Sequence, residues 1–191
     1  MYNKTIKQRN SILKNNNSLF EKEKELEIWD KPFCDNGLNL WQKREIYMNS
    51  FIDLFLKTVA KFDKNLLLNV KYDLIIKTNK DFSKKIKENK HIDLVKKYTS
   101  FGPHKDDVAF FWNNQKIKNH GSQGEHKIFL ALLKITEYIF LSNKTKKTPI
   151  FLIDDMFANL DKERSKKLLR FIEKIKNKNK EKSQTIITTT N

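Results

Sequence analysis

The sequence predicts an α/β fold, an N-terminal helical arm followed by a lobe in which helices alternate with short strands. Three observations point there. The 191 residues include only four glycines and three prolines, too few turn-formers for a many-turned β-sandwich and better suited to long helices. Apolar residues in the first third recur at helical spacing. From Asn69 onward, runs of alternating or continuous apolar character (NVKYDLIIKT, VAFFW, PIFLID and TIITTT) interrupt the helical stretches.

Taken in order, residues 21–29 read as an acid-base helix, and residues 41–62 as a second that carries Ile46, Phe51, Phe55, Leu56 and Val59 on one side. KPFCDNG lies between them. Its Pro32 and Gly37 both disfavour a continuous helix, so a break is expected there and the two helices would form an antiparallel arm. NVKYDLIIKT sets Val70, Tyr72 and Leu74 at period two, and a lysine-rich helix of roughly ten residues is expected from Asp81. VAFFWNNQKIK reads as a hairpin turning at Asn113-Asn114, because asparagine tolerates positive φ. Its Phe110, Phe111 and Trp112 are expected to pack the hairpin rather than stack bases. GSQGE then opens an apolar helix to Leu141, PIFLID is a strand, a basic helix follows Asp161, and QTIITTT closes as a strand. The last two strands should be parallel, since a helical crossover joins them. The division that follows is residues 1–68 as the arm and residues 69–191 as the lobe.

The charge bounds the partners. There are 39 basic and 23 acidic residues, a formal net charge of +16. Ten of the basic residues lie between Lys162 and Lys182, against Glu163, Glu173 and Glu181. Such a surface either contacts a phosphate backbone or is a solvated lysine face. Cys34 is alone, which excludes a disulfide framework and fits a reducing cytoplasm. No stretch has the uninterrupted apolar length of a membrane span, and the first ten residues lack a signal core. His91, His120 and His126 have no further ligands at metal-binding spacing.

Two stretches carry chemistry. In PIFLIDDMFANLD an apolar strand delivers Asp154 and Asp155 to its tip, where ligands meet the carboxyl ends of parallel strands. Asp154 would hold magnesium through hard oxygen ligands, and Asp155 would polarise a water attacking a γ-phosphate. The bland alternative is a turn after a buried strand. Ser122-Gln123-Gly124-Glu125 starts the apolar helix, whose free amides and positive dipole end suit an anion. The same string also fits a capping box.

The order of these parts resembles the C-terminal lobe of an ATP-binding-cassette ATPase head, an incomplete P-loop NTPase fold. More narrowly, YTSFGPHKDD, GSQGEHK, PIFLIDDMFANLD and IITTT, with the early YNKTIKQRNSILK and LEIWD, resemble the C-terminal half of the RecF family of DNA-repair ATPases. The resemblance implies roles. Ser122, Gln123, Gly124 and Glu125 match the signature that contacts the γ-phosphate bound by the other subunit of a head-to-head dimer. Asp154 and Asp155 match the magnesium-binding and catalytic acids of Walker B. Asn159, Leu160 and Asp161 match the loop at the dimer boundary, while Asp161 also fits an N-cap of the basic helix. His104, Lys105 and Asp106 of GPHKDD are candidates to line a site or to stabilise a turn, and Thr190 ends the strand near the γ-phosphate. The family implies ATP and Mg2+ as cofactors. It also implies single-stranded DNA and single-strand/double-strand junctions as ligands, recombination mediator proteins as partners, and recombinational repair with the SOS response as the setting.

Two departures qualify the resemblance. A phosphate loop needs G-x-x-x-x-G-K-[ST], and none of Gly37, Gly102, Gly121 or Gly124 opens one. Asn159 stands where an acidic residue is common. Because Met1 falls at the entry to the arm and Asn191 just past the last strand, the expectation is a fragment or truncated reading frame, inactive as an ATPase by itself. The competing expectations are a non-enzymatic basic DNA- or partner-binding module, and a head of the structural-maintenance-of-chromosomes type. The short arm without sustained heptads, and GPHKDD itself, speak against the last.

Overall fold

The computed structural model describes residues 1–72, 76–154, 157, 160–178 and 184–188, the last three of the 160–178 stretch by backbone alone. The chain divides into two compact units, each built from two stretches: residues 1–48 with 72–108, and residues 49–71 with 109–191. The boundary expected at 68/69 follows chain order, whereas these units follow packing. No helix among the described residues is long and apolar enough to cross a membrane.

The first unit is helical. It holds α1 (Tyr2–Lys14), the first part of α2 (Leu19–Phe62) and α3 (Asn79–Lys96). Helix α2 begins at a capping box in which Ser18 N–H donates to Glu21 (2.9 Å) and Glu21 N–H donates back to Ser18 Oγ (3.3 Å). It then runs unbroken through Pro32 and Gly37. The expected break is absent, and the physical reason is burial. A mid-helix proline costs about 3 kcal/mol, but the adjoining Phe33 and Cys34 are fully enclosed in a cluster with Tyr2, Trp41, Phe82 and Ile86. Each such side chain contributes about 1.5–3 kcal/mol. Gly37 is there for space: a Cβ would lie 2.5 Å from Phe82 Cε1 and 3.3 Å from Tyr2 Cε2. Helix α3 is longer than expected, because Thr78 caps it from Asp81 N–H (3.1 Å) and no Gly or Pro interrupts it before Lys97 turns left-handed.

A buried cation joins these helices. Arg9 of α1 is enclosed, paired with Asp30 of α2 and with Asp93 of α3 (3.3 Å), and its guanidinium lies 4.9 Å above the Phe33 ring. Asp93 also accepts from Ser100 N–H at 2.8 Å. Removing one partner of such a group leaves a buried charge without compensation, at a cost of about 3–5 kcal/mol.

GPHKDD closes this unit. Gly102 sits at φ 138°, where only glycine is unstrained, and a Cβ there would meet Tyr2 Oη at 2.7 Å. Pro103–Lys105 forms one turn of 3-10 helix. The Thr99 carbonyl can only accept, so His104 Nε2–H donates to it (2.9 Å) and Nδ1 accepts from the Tyr2 hydroxyl (2.7 Å). Acceptance at Nδ1 requires a neutral ring, and burial lowers the His104 pKa while raising that of Tyr2. Asp106 accepts from Trp41 Nε1 (2.7 Å), Arg44 (3.0 Å) and Tyr72 Oη (2.7 Å). Arg44 also donates to the Pro103 carbonyl. Burial, followed by the Asp106 carboxylate, pushes the Tyr72 hydroxyl up to about 12.

The second unit carries two small sheets. β1 (Leu68–Lys71), β2 (Ala109–Trp112) and β3 (Gln115–Lys116) form an antiparallel sheet in that order. The hairpin turns at Asn113 (φ 47°) and Asn114 (φ 65°), as expected. Trp112 is buried and Phe110 packs edge-on to Phe129. The expected alternation through Leu74 falls partly on residues 73–75, outside the described residues. After a short α4 (Ile117–His120), α5 (Gln123–Thr145) forms the core with Ile128, Phe129, Leu132, Ile135 and Tyr138. Phe55, Val59 and Phe62 of α2 are buried, with Phe55 against Phe129, whereas Ile46 and Leu56 of the expected stripe are exposed. β4 (Phe151–Ile153) and β5 (Thr185–Ile187) pair in parallel across α6 (Lys162–Lys178), the crossover that the sequence predicted.

Two outcomes test this packing. In an isolated helix Gly→Ala stabilises by up to about 1 kcal/mol. Gly37→Ala is instead expected to lower unfolding stability by about 1–3 kcal/mol in urea titration, because Phe82 cannot move within a filled core. The His104 pKa is lowered below its unfolded value of about 6.5. Below that pH the unfolded chain therefore binds more protons than the folded one, and stability is lost as pH falls through about 6.5. His104→Gln is expected to be weaker at pH 8 but to lose less between pH 7 and 5 in thermal melts; an unchanged pH slope contradicts the buried neutral imidazole.

Candidate functional site

The site elements that the sequence singled out in the second unit begin with the signature. Ser122 is the N-cap of α5: its Oγ accepts from Glu125 N–H (3.3 Å), and Glu125 Oε2 accepts from Ser122 N–H (2.8 Å). The capping box is therefore real, and it fixes where the helix starts. The cap uses Ser122 Oγ only as an acceptor, so the hydroxyl can still donate to an anion at the same helix end. Gln123 is exposed and Gly124 half-buried. Gly121 before them is a packing glycine: a Cβ would lie 2.7 Å from Ile117 Cγ1 and 2.9 Å from the Ile117 carbonyl.

The acidic strand tip comes next. Phe151 and Ile153 of β4 face inward, Phe151 lying 5.2 Å from the Tyr138 ring, while Leu152 faces out. The chain leaves the strand at Asp154, which is exposed. Thr188, just past β5, donates its hydroxyl to Asp154 Oδ1, and its N–H donates to the Ile153 carbonyl (2.9 Å). The parallel pairing thus sets a carboxylate and a hydroxyl side by side at the carboxyl ends of two strands. Their donors are all oxygens, the set that a hard divalent cation selects. Among the described residues, no group of three or more His, Cys, Asp and Glu side chains is gathered into a metal cage. A magnesium ion bound with nucleotide takes one or two carboxylates and completes its shell from phosphate and water, so Asp154 with Thr188 fits that use.

The loop that follows is described in part. Leu160 N–H donates to the Phe157 carbonyl (3.2 Å). Asp161 caps α6, accepting from Arg164 N–H (2.7 Å) and pairing with its guanidinium (3.3 Å). The catalytic candidate Asp155, the interface candidate Asn159 and the strand-end candidate Thr190 lie outside the described residues. Among the described residues, Ser122 and Glu125 bond to each other and to neither Asp154 nor Asp161. His104, Lys105 and Asp106 belong to the first unit: His104 and Asp106 are engaged as described above, and Lys105 lies 4.8 Å over the Tyr98 ring.

Sequence reasoning missed Thr188 as the partner of Asp154. The contact follows from the register of β4 against β5, which no local pattern announces. Tyr2, Trp41, Arg44 and Tyr72 were also missed as partners of GPHKDD. They come from remote stretches, which no local pattern announces.

No family model matches the chain. Individual proteins do. A DNA replication and repair protein RecF from Azobacteroides pseudotrichonymphae is 34% identical over 174 residues, 90% of this chain and 46% of that protein. The RecF protein of Streptococcus gordonii is 35% identical over 197 residues, 99% of this chain and 52% of its own length. A solved structure of the recombination mediator protein RecF-ATP in the RecFOR pathway aligns with the whole chain and 51% of its own, at TM-score 0.78 and 25% identity. The chain spans about half the length of the relatives it matches. The α/β architecture is that of part of the RecF head, and along nearly its whole length the chain is similar to about half the length of proteins described as DNA replication and repair protein RecF.

Proposed function

We propose that this chain forms the C-terminal half of a RecF-type ATP-binding head that acts on DNA in recombinational repair and the SOS response, in the cytoplasm. The observation that carries the reading is Asp154 at the end of a parallel strand with the Thr188 hydroxyl against it. The relatives named RecF-ATP support ATP as the nucleotide. In this reading Asp154 and Thr188 hold the magnesium that offsets phosphate charge, and Asp155 takes a proton from the attacking water. The capped start of α5, with Ser122 and Gly124, grips the terminal phosphate oxygens bound by a second head. Leu160 and Asp161 lie along that boundary, together with Asn159. The half that carries the phosphate loop is supplied by residues other than these 191, either in the same polypeptide or in another. Single-stranded DNA, its junctions with duplex and recombination mediator proteins are the macromolecular partners.

The test joins the chain to the N-terminal half of the Streptococcus gordonii relative. The 191-residue chain alone is expected not to hydrolyse ATP above background. The joined protein is expected to hydrolyse it with magnesium, and Asp155→Asn to lower the rate by about a hundredfold or more. Turnover by the chain alone that Asp155→Asn abolishes would overturn the composite-site reading, as would a joined protein that ignores ATP.

A further inference from the structure

Helix α6 buries Leu168, Phe171 and Ile172 in the second unit and turns its other residues to solvent. Among those, Lys162, Lys166, Arg170 and Lys174 fall at every fourth position, and all four are exposed. Four residues of helix rise about 6 Å, so the cations form a ladder comparable in step with successive phosphates along a nucleic-acid strand. The neighbouring cations are already committed: Arg164 pairs with Asp161 at 3.3 Å, and Lys167 pairs with Asp63. Among the described residues, none of the four ladder cations makes an ion pair, and neither do Glu163 and Glu173 beside them. Like charges four apart repel and cost the helix stability, so the arrangement is unfavourable until an anion covers it.

From this geometry we infer that the ladder Lys162, Lys166, Arg170 and Lys174 is a contact track for a DNA phosphate backbone, without base readout. A lipid surface is the poorer fit, because the apolar face of α6 that would enter a membrane is inside the protein. An acidic protein segment matches the sign of the charge but has no fixed anion repeat of this step. The inference rests on the DNA-directed reading above but not on its ATP chemistry.

The test measures binding of the 191-residue chain to duplex and single-stranded oligonucleotides across a salt series. Polyglutamate and anionic vesicles serve as competing probes. Changing Lys162, Lys166, Arg170 and Lys174 together to Gln is expected to lower the duplex slope of log K against log salt by about 3.6, since each released phosphate contact contributes about 0.9. The single changes Lys166→Gln and Arg170→Gln should each lower it by about 1. The melting temperature at low salt should not fall, because repulsion is relieved. Neutralising Lys80, Lys84, Lys87 and Lys96 on α3 should leave most of the slope intact. An equal drop in that control, an unchanged slope in the ladder variants, or preference for polyglutamate or vesicles over DNA overturns the inference. ATP hydrolysis by the joined head with unaltered DNA binding in the ladder variant sinks this inference alone.

Discussion

The candidate site depends on the parallel pairing of β4 with β5, two strands of three residues each. Phe151 lies opposite Thr185, Leu152 opposite Ile186 and Ile153 opposite Ile187, and both ends are fastened: Phe151 N–H donates to the Gln184 carbonyl and Thr188 N–H to the Ile153 carbonyl, each at 2.9 Å. A slip of one residue would turn Phe151 and Ile153 out of the core and expose two large apolar groups, so the register is fixed by burial. With the register fixed, Asp154 and Thr188 leave adjacent strands together. So short a pair is marginal by itself. Helices α5 and α6 hold it, and each starts at a side-chain cap, Ser122 and Asp161 respectively. The caps thus do two things at once, satisfying free amides and setting where the signature and the strand-following loop stand.

The first unit obeys a different constraint. Arg9 brings a charge into a helical core and is tolerated because Asp30, Asp93 and the Phe33 ring surround it. GPHKDD extends the same logic: an imidazole kept neutral and a carboxylate with three kinds of donor tie α1, α2 and the turn together. Residue types that often serve catalysis are engaged here in internal bonds, and the lowered His104 pKa follows from enclosure.

What was legible in the sequence was local. Asn113-Asn114 announced its hairpin because the turn needs two positive φ values. Ser122 and Glu125 announced a cap by their spacing, and the apolar run before Asp154 announced a buried strand with a parallel partner. What failed was non-local. Pro32 and Gly37 carry the local mark of a break, yet the helix continues because Phe33 and Cys34 are buried against α1 and α3 and because Phe82 presses on Gly37. Ile46 and Leu56 fit a helical period but face solvent, since period alone does not say which face finds a partner. The Asp154–Thr188 contact needed the strand register, which no single stretch contains.

The claim that the strand tips hold the nucleotide-bound cation is tested most directly by replacing magnesium with paramagnetic manganese in the ATP-bound joined protein and observing methyl signals. The account predicts that Ile153 and Ile187 broaden only when ATP and manganese are both present, and that Asp154→Asn restores them. Unchanged Ile153 and Ile187 signals with ATP and manganese bound would contradict it.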